Sequence, residues 1–262
     1  MLVINAPKEF FIPLAFDRVC AEIGVYKGRY ALPCLDVPPK KLYLIDPYNP
    51  DDYGNILPDA FAGNDAKETL EEVWKPYYPD GLETSLNTAY NDLVGKVRNH
   101  QNSHLVNFFK MPSAEAVEKF QDRSIGFLHL DENTRYDYVY ANLVRWESKI
   151  EDDGIIIIDN CYVSSDAKLQ HFSVLEAASS FLKLHDWVPI ALSTARWSNL
   201  IICRRGYEKV WLTQLKSLCA LQSVPLVVVP NSILHSYRHE IFEIEDLNGK
   251  EMAMWIPSFD SD

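Results

Sequence analysis

Three groups of residues have the types and spacing that chemistry needs. The first is the run EIGVYKG at residues 22–28. Glu22 stands just before a turn that holds Gly24 and Gly28, with Val25 between them, where an apolar run gives way to a helical pattern. Glycine lets the backbone turn sharply and approach a ligand with no Cβ in the way. A carboxylate beside it can accept hydrogen bonds from a cationic or hydroxylated ligand. The same glycines also serve as plain turn residues. The second group is Asp46, which closes the apolar run KLYLI about twenty residues further on, where an acidic side chain can bind a ribose diol. A turn or helix-cap aspartate is the other reading. Together the two features are more specific than either alone, because both fall at strand ends, where open α/β sheets bind ligands.

The third group is Asp131 with Asp159 and Asn160, which directly follow the apolar runs GFLHL and GIIII. If those runs are neighbouring strands, three oxygen ligands meet at one sheet edge, the donor set that Mg²⁺ or Mn²⁺ takes. The competing reading is an ordinary Asp-Asn turn with Asp131 capping a helix. His129 lies two residues before Asp131 and shares its face on a strand, where a hydrogen-bonded core histidine is the simpler role. His171 is a candidate for the site rim. His235 and His239 are four apart but have no third ligand. The stretch Trp74-Lys75-Pro76-Tyr77-Tyr78 could cover a ligand or merely pack.

The elements that must position these residues are legible in the periodicity. Apolar runs at 19–23, 41–45, 104–109, 126–130, 154–158, 187–192 and 199–203 read as strands. GIIII does not alternate, as befits a strand buried on both faces. Helical patterns lie between them, at 83–97, 113–120 (with Ser113 as N-cap), 136–150 and 168–184. Strands alternating with helices imply βαβ units and a parallel sheet. Residues 47–81 break the rhythm with five prolines and three glycines, and a loop that long is expected to act as a lid or binding loop. After Gly206 a helix is expected at 208–221. Strand-like runs follow, with a hairpin turn at Asn248-Gly249.

A chain of 262 residues with 47% hydrophobic content suits one globular domain with an appended segment. The net charge of −12 argues against a duplex nucleic-acid binder, whose affinity rests on neutralising phosphates, and favours a small-molecule substrate. Cys20, Cys34, Cys161, Cys203 and Cys219 are odd in number and form no CxxC pair. This points to reduced thiols in a cytoplasmic protein rather than a disulfide or zinc framework. No apolar run is long enough for a membrane span, and the N-terminus reads as neither signal peptide nor anchor.

These residues resemble a known family. EIGVYKG is similar to the first motif of class I S-adenosylmethionine-dependent methyltransferases, LYLIDPY to the acidic second motif, and MPSAEAV to the segment flanking adenine. The block from IGFLHLD to GIIIIDNCY is similar to the fourth-to-fifth-strand region of the macrocin-type and catechol-type O-methyltransferases. The resemblance covers roughly residues 15–205. It implies S-adenosylmethionine as cofactor, with Glu22, Gly24, Val25 and Gly28 at its methionine end, Asp46 at the ribose, and Met111 and Ser113 flanking adenine. It also implies Mg²⁺ or Mn²⁺ held by Asp131, Asp159 and Asn160, with Asp131 and Asp159 as catalytic residues. The sequence departs from the pattern at Thr134, where relatives carry a lysine or histidine, and at Phe127, where many carry aspartate.

The expected fold is therefore α/β: a Rossmann-like doubly wound sheet of seven strands, the last antiparallel, plus a C-terminal extension. Residues 1–206 would form the cofactor-binding domain with the insert 47–81, and residues 207–262 an extension. The expected function is metal-assisted O-methylation of a small molecule, with a homo-oligomer as one arrangement. Thr134 keeps two alternatives open: a methyltransferase-like binding protein without activity, or a metal-independent N- or C-methyltransferase.

Overall fold

The runs GFLHL and GIIII become the centre of the sheet because apolar side chains on both faces can only be satisfied between two helical layers. In the computed structural model, which describes residues 1–54, 78–161, 173–195, 198–235, 237–245 and 251–259, nine strands form one sheet. They are β1 (Leu2–Ile4), β2 (Val19–Ile23), β3 (Lys41–Ile45), β4 (Val106–Phe109), β5 (Ile125–Leu130), β6 (Ile150–Ile158), β7 (Trp187–Ser193), β8 (Asn199–Arg204) and β9 (Leu226–Val228). Their order is β4-β3-β2-β5-β6-β8-β7-β1-β9. β8 is antiparallel to both its neighbours and β9 is antiparallel to β1, while the other pairs are parallel.

The sheet thus has two strands more than the seven expected. β1 was not legible as a strand, because three residues at a chain end carry no period. β9, read as strand-like, joins this sheet instead of standing apart. The helices are α1 (Ala31–Asp36), α2 (Pro50–Gly54), α3 (Leu82–Arg98), α4 (Ser113–Ala116), α5 (Tyr136–Trp146), α6 (Val174–Leu184) and α7 (Glu208–Leu221). The period of two along β6 divides the core: Ile155 and Ile157 face one side, Ile156 and Ile158 the other. α1, α3 and α7 cover the first side through Leu35, Leu93, Val97, Trp211 and Leu215. α5 and α6 cover the second through Val139, Leu143, Trp146 and Phe181.

The expected lid falls mainly on residues 55–77, which lie outside the described residues, as does His171. The boundary expected at 206 is followed by α7 and β9, which pack into and extend the main unit. β10 (Tyr237–Glu245) and β11 (Glu251–Phe259) then pair antiparallel as a two-stranded sheet of their own, as the Asn248-Gly249 signal predicts. Among the described residues no helix is long and apolar enough to cross a membrane.

Candidate functional site

Register brings the first two groups together. Glu22 on β2 stands beside Leu44 on β3 and His129 on β5, so the residues after these strands share one edge of the sheet. Glu22 is 3% exposed and its Oε2 has no hydrogen-bond partner among the described residues. Burial raises its carboxyl well above the usual range. His129 is fully buried and stacks on Tyr30 with ring centroids 3.9 Å apart. Its Nδ1 is 3.5 Å from Glu22 Oε1. Burial, with Lys8 second, pushes its pKa down to about 3, so the ring is neutral. The core-histidine expectation stands as to place. The hydrogen bonds expected of it do not, since neither ring nitrogen has a partner among the described residues, and neither does the Tyr30 hydroxyl.

Asp46 follows β3 and is 1% exposed. Its Oδ2 accepts the amide hydrogens of Val25 and Tyr26, both at 2.9 Å, and its Oδ1 accepts that of Tyr48 at 2.9 Å. The Tyr48 hydroxyl donates to the Tyr26 carbonyl at 2.6 Å. Tyr26 and Tyr48 have φ of 45° and 46°, a left-handed conformation costing on the order of 1–2 kcal/mol for a residue with a Cβ. Asp46 thus ties down the glycine turn with the oxygens expected to meet a ribose. The turn's glycines have a local cause as well. A Cβ at Gly24 would lie 2.0 Å from the Asp131 carbonyl oxygen, and one at Gly28 would lie 2.3 Å from Leu93 Cδ1.

Asp131, Asp159 and Asn160 do converge, because β5 and β6 are parallel neighbours and both stop at this edge. Asn160 takes the left-handed conformation, φ 61°, which asparagine tolerates. Its amide Nδ2 donates to Asp131 Oδ1 at 3.0 Å, and its backbone N–H donates to Asp159 Oδ1 at 2.8 Å. Between the two remaining oxygens stands a residue from far outside either motif. Lys8 Nζ donates to Asp131 Oδ2 at 2.6 Å and to Asp159 Oδ2 at 2.5 Å. Lys8 opens a 3₁₀ helix, Lys8–Ala15, that buries Phe10, Phe11, Ile12 and Leu14, and this anchoring fixes its side chain over the site.

The three charges act on one another, with Lys8 favouring the ionised form of each aspartate and the aspartates opposing each other. Burial would lower the Lys8 pKa, but the two carboxylates outweigh it and raise it above the usual lysine value. Burial also works against the Asp131 carboxylate, but Lys8 holds its pKa below the ordinary value. Asp159, at 4% exposure, is pushed up by burial and then by the charge of Asp131, while Lys8 pulls it back towards the ionised form.

Oxygen-rich donors are chemically right for a divalent cation, and His129, Asp131 and Asp159 bring ligand atoms within 4.8 Å of one another. As arranged, however, the site does not fit one. Mg²⁺ binds oxygen at roughly 2.0–2.1 Å, so an ion shared by Asp131 and Asp159 would overlap the Lys8 ammonium. Asn160 also turns its amide nitrogen, not its oxygen, towards Asp131.

Ser113 does not cap α4 with its side chain. Its hydroxyl lies 2.7 Å from Asn142 Oδ1 and 3.1 Å from Glu132 Oε2, and Asn142 Nδ2 donates to the same Glu132 oxygen at 2.6 Å. Met111 packs half-buried beside the core on the α5 side. Thr134 lines a small cleft with Glu132, Asn133, Asp159 and Asn160. Lys8, Tyr30 and Glu132 were missed as site residues. Glu132 adjoins Asp131 and could have been suspected. Lys8 meets its partners across 123 and 151 residues of chain, which no local pattern reports.

A family described as a methyltransferase domain matches residues 21–161, from β2 to the turn after β6. No curated protein matches the sequence. Among solved structures, the chain is similar to an O-methyltransferase from Bacillus cereus in complex with S-adenosylhomocysteine. The identity is 9% and the TM-score 0.50, covering 76% of this chain and 82% of that one. It is also similar to the O-methyltransferase TomG from Streptomyces achromogenes, involved in tomaymycin synthesis and bound to S-adenosylmethionine, at 12% identity and TM-score 0.49, covering 78% and 82%. A putative rRNA-methylase from Clostridium thermocellum aligns at 11% identity and TM-score 0.49, covering 75% and 92%. At 9% identity the likeness to the Bacillus cereus enzyme is one of fold alone.

Proposed function

The chain belongs to the methyltransferase-domain family and is an S-adenosylmethionine-dependent methyltransferase; on that premise we propose that it methylates a hydroxyl oxygen of a small molecule at the edge formed by Glu22, Asp46 and Asp131. The observation that carries this reading is the convergence of Glu22, Asp131 and Asp159 at the ends of three adjacent parallel strands. The unpartnered Glu22 Oε2 suits the cofactor's α-ammonium group, and the glycine turn suits its methionine end. S-adenosylmethionine held there by Glu22 and the glycine turn would supply a sulfonium methyl, its S–C pair remaining on sulfur while an acceptor oxygen pair would form the C–O bond and the acceptor proton would pass to solvent.

The chain's own contribution is alignment, which can supply much of the rate in a displacement between two held reactants. Asp131 is the more open carboxylate of the pair, at 25% side-chain exposure against 4% for Asp159, so the acceptor approaches from its side. The net charge of −12 favours a small neutral or cationic acceptor over nucleic acid or an anionic membrane. A second reading, metal assistance through Asp131, Asp159 and Asn160, draws support from the spacing of the Asp131 and Asp159 ligand atoms but requires Lys8 to withdraw and the Asn160 amide to turn.

The test is calorimetry with S-adenosylhomocysteine, followed by transfer of labelled methyl groups to a panel of hydroxylated and amino metabolites. Binding with label on oxygen is the expected result. Label on nitrogen or carbon would remove the O-methyl assignment. Absence of binding would move the chain to the inactive alternative.

A further inference from the structure

We infer that Lys8 is the site's built-in cation: its ammonium stands where a divalent ion would join Asp131 and Asp159, and its remaining N–H is the donor for the acceptor oxygen. This rests on the methyl-transfer reading above. Two carboxylates brought to one edge repel, and a positive charge between them favours the ionised form of both. Lys8 supplies it with contacts of 2.5 and 2.6 Å to the two Oδ2 atoms. Asn160 holds the two Oδ1 atoms, so the pair is fully bridged from within the chain.

An ammonium has three N–H donors. Two are used by the aspartates, and the third has no hydrogen-bond partner among the described residues. The opening lies on the side of Lys8 and Asp131, whose side chains are 22% and 25% exposed. A donor fixed there by Phe10 and Phe11 can hold an oxygen lone pair and favour the developing alkoxide. Lys8 reaches the site from the chain's beginning and so occupies a role that Thr134 cannot fill.

The experiment uses the full chain with Mn²⁺ as the probe, read by the electron paramagnetic resonance signal of the free ion and by thermal melting. S-adenosylhomocysteine calorimetry is run in parallel. Wild type should leave the Mn²⁺ signal and Tm unchanged. Lys8→Met should bind Mn²⁺, and its Tm should rise at about 100 times the dissociation constant, as any ligand specific for the folded state requires. Lys8→Arg should stay insensitive, and adding Asp159→Asn to Lys8→Met should abolish the new binding.

On any acceptor found, wild-type turnover should ignore chelator, whereas Lys8→Met should need Mn²⁺, which a packing role for Lys8 would not produce. If Lys8→Met unfolds in chelator, refolding with Mn²⁺ must restore S-adenosylhomocysteine binding. The inference is overturned if wild type binds Mn²⁺ and loses it in Asp159→Asn. It is equally overturned if Lys8→Met gains no Mn²⁺ affinity, or if Mn²⁺ fails to restore its fold or turnover. Failure of wild type to bind S-adenosylhomocysteine would instead count against the methyltransferase reading and leave the Mn²⁺ result to judge Lys8.

Discussion

A Cβ built on Gly24 would stand 2.0 Å from the backbone oxygen of Asp131. The turn after β2 and the turn after β5 are therefore in backbone contact, and the Asp131 N–H donates to the Ile23 carbonyl at 2.9 Å beside it. Gly24 also holds φ at 81°, which a residue with a Cβ resists. Gly24→Ala is expected to cost about 3 kcal/mol, combining left-handed strain with forced separation of the two turns. Denaturant melts measure it directly. A loss confined to cofactor affinity, with stability unchanged, would mean that the glycine serves the ligand alone.

Asp46 makes a second prediction. Its carboxylate accepts three backbone N–H groups in buried surroundings. Asp46→Ala strands those donors, each worth roughly 1–3 kcal/mol when left unpaired. Asp46→Asn keeps one oxygen and should recover part of the loss. Both variants should lose stability and S-adenosylmethionine affinity together, since the turn at residues 22–28 depends on this side chain. Weakened binding in a variant that melts like wild type would instead assign Asp46 to the ribose alone.

The cysteines give a pH-dependent expectation. Cys20 and Cys203 are buried, and burial pushes each thiol up to about 12. A folded-state pKa above the unfolded value near 8.5 means a stabilising contribution that is complete below pH about 8.5 and is lost as pH climbs towards 12. At pH 8 the folded thiols should react with a disulfide reagent about a thousandfold more slowly than in the unfolded chain, because the thiolate is the nucleophile. Rapid labelling of native protein at these two positions would contradict their burial.

The parts of this molecule that are legible in its sequence are those set by local period. Ile155 to Ile158 announce a doubly buried strand, and β5 ends at Asp131 as β6 ends before Asp159. The strand-end rule then brings the carboxylates to one edge without any knowledge of the fold's details. What stays hidden depends on contacts distant in sequence. Leu2–Ile4 becomes a strand only because β7 offers it a partner, and β9 follows only because β1 is there. Lys8 is placed by Phe10 and Phe11, which bury the turn that carries it. The second task of Asp46, accepting the Val25 and Tyr26 amide hydrogens, has no local signal in the sequence.

The segment after Gly206 yields the last prediction. α7 buries Trp211, Leu215 and Cys219 at 1%, 0% and 1% exposure against the α1 and α3 side of the core. Trp211 Nε1 donates to the Asp153 carbonyl at 3.0 Å, and the Arg18 guanidinium lies 4.8 Å from its ring centroid. Arg18 in turn pairs with Asp153 at 3.0 Å, which links α7, β6 and the start of β2. Removing one such tryptophan side chain typically costs about 3–5 kcal/mol, a large share of the roughly 5–15 kcal/mol that holds a domain folded. Trp211→Ala should therefore lower Tm by several degrees or more. A chain ended at residue 206 should lose the cooperative transition altogether, because α7 and the β9 pairing with β1 leave together. Circular dichroism melts and limited proteolysis read both variants. A truncated chain that melts cooperatively near the wild-type temperature would make residues 207 onward a separable extension, and would show that the apolar face beneath α7 can be left open to water.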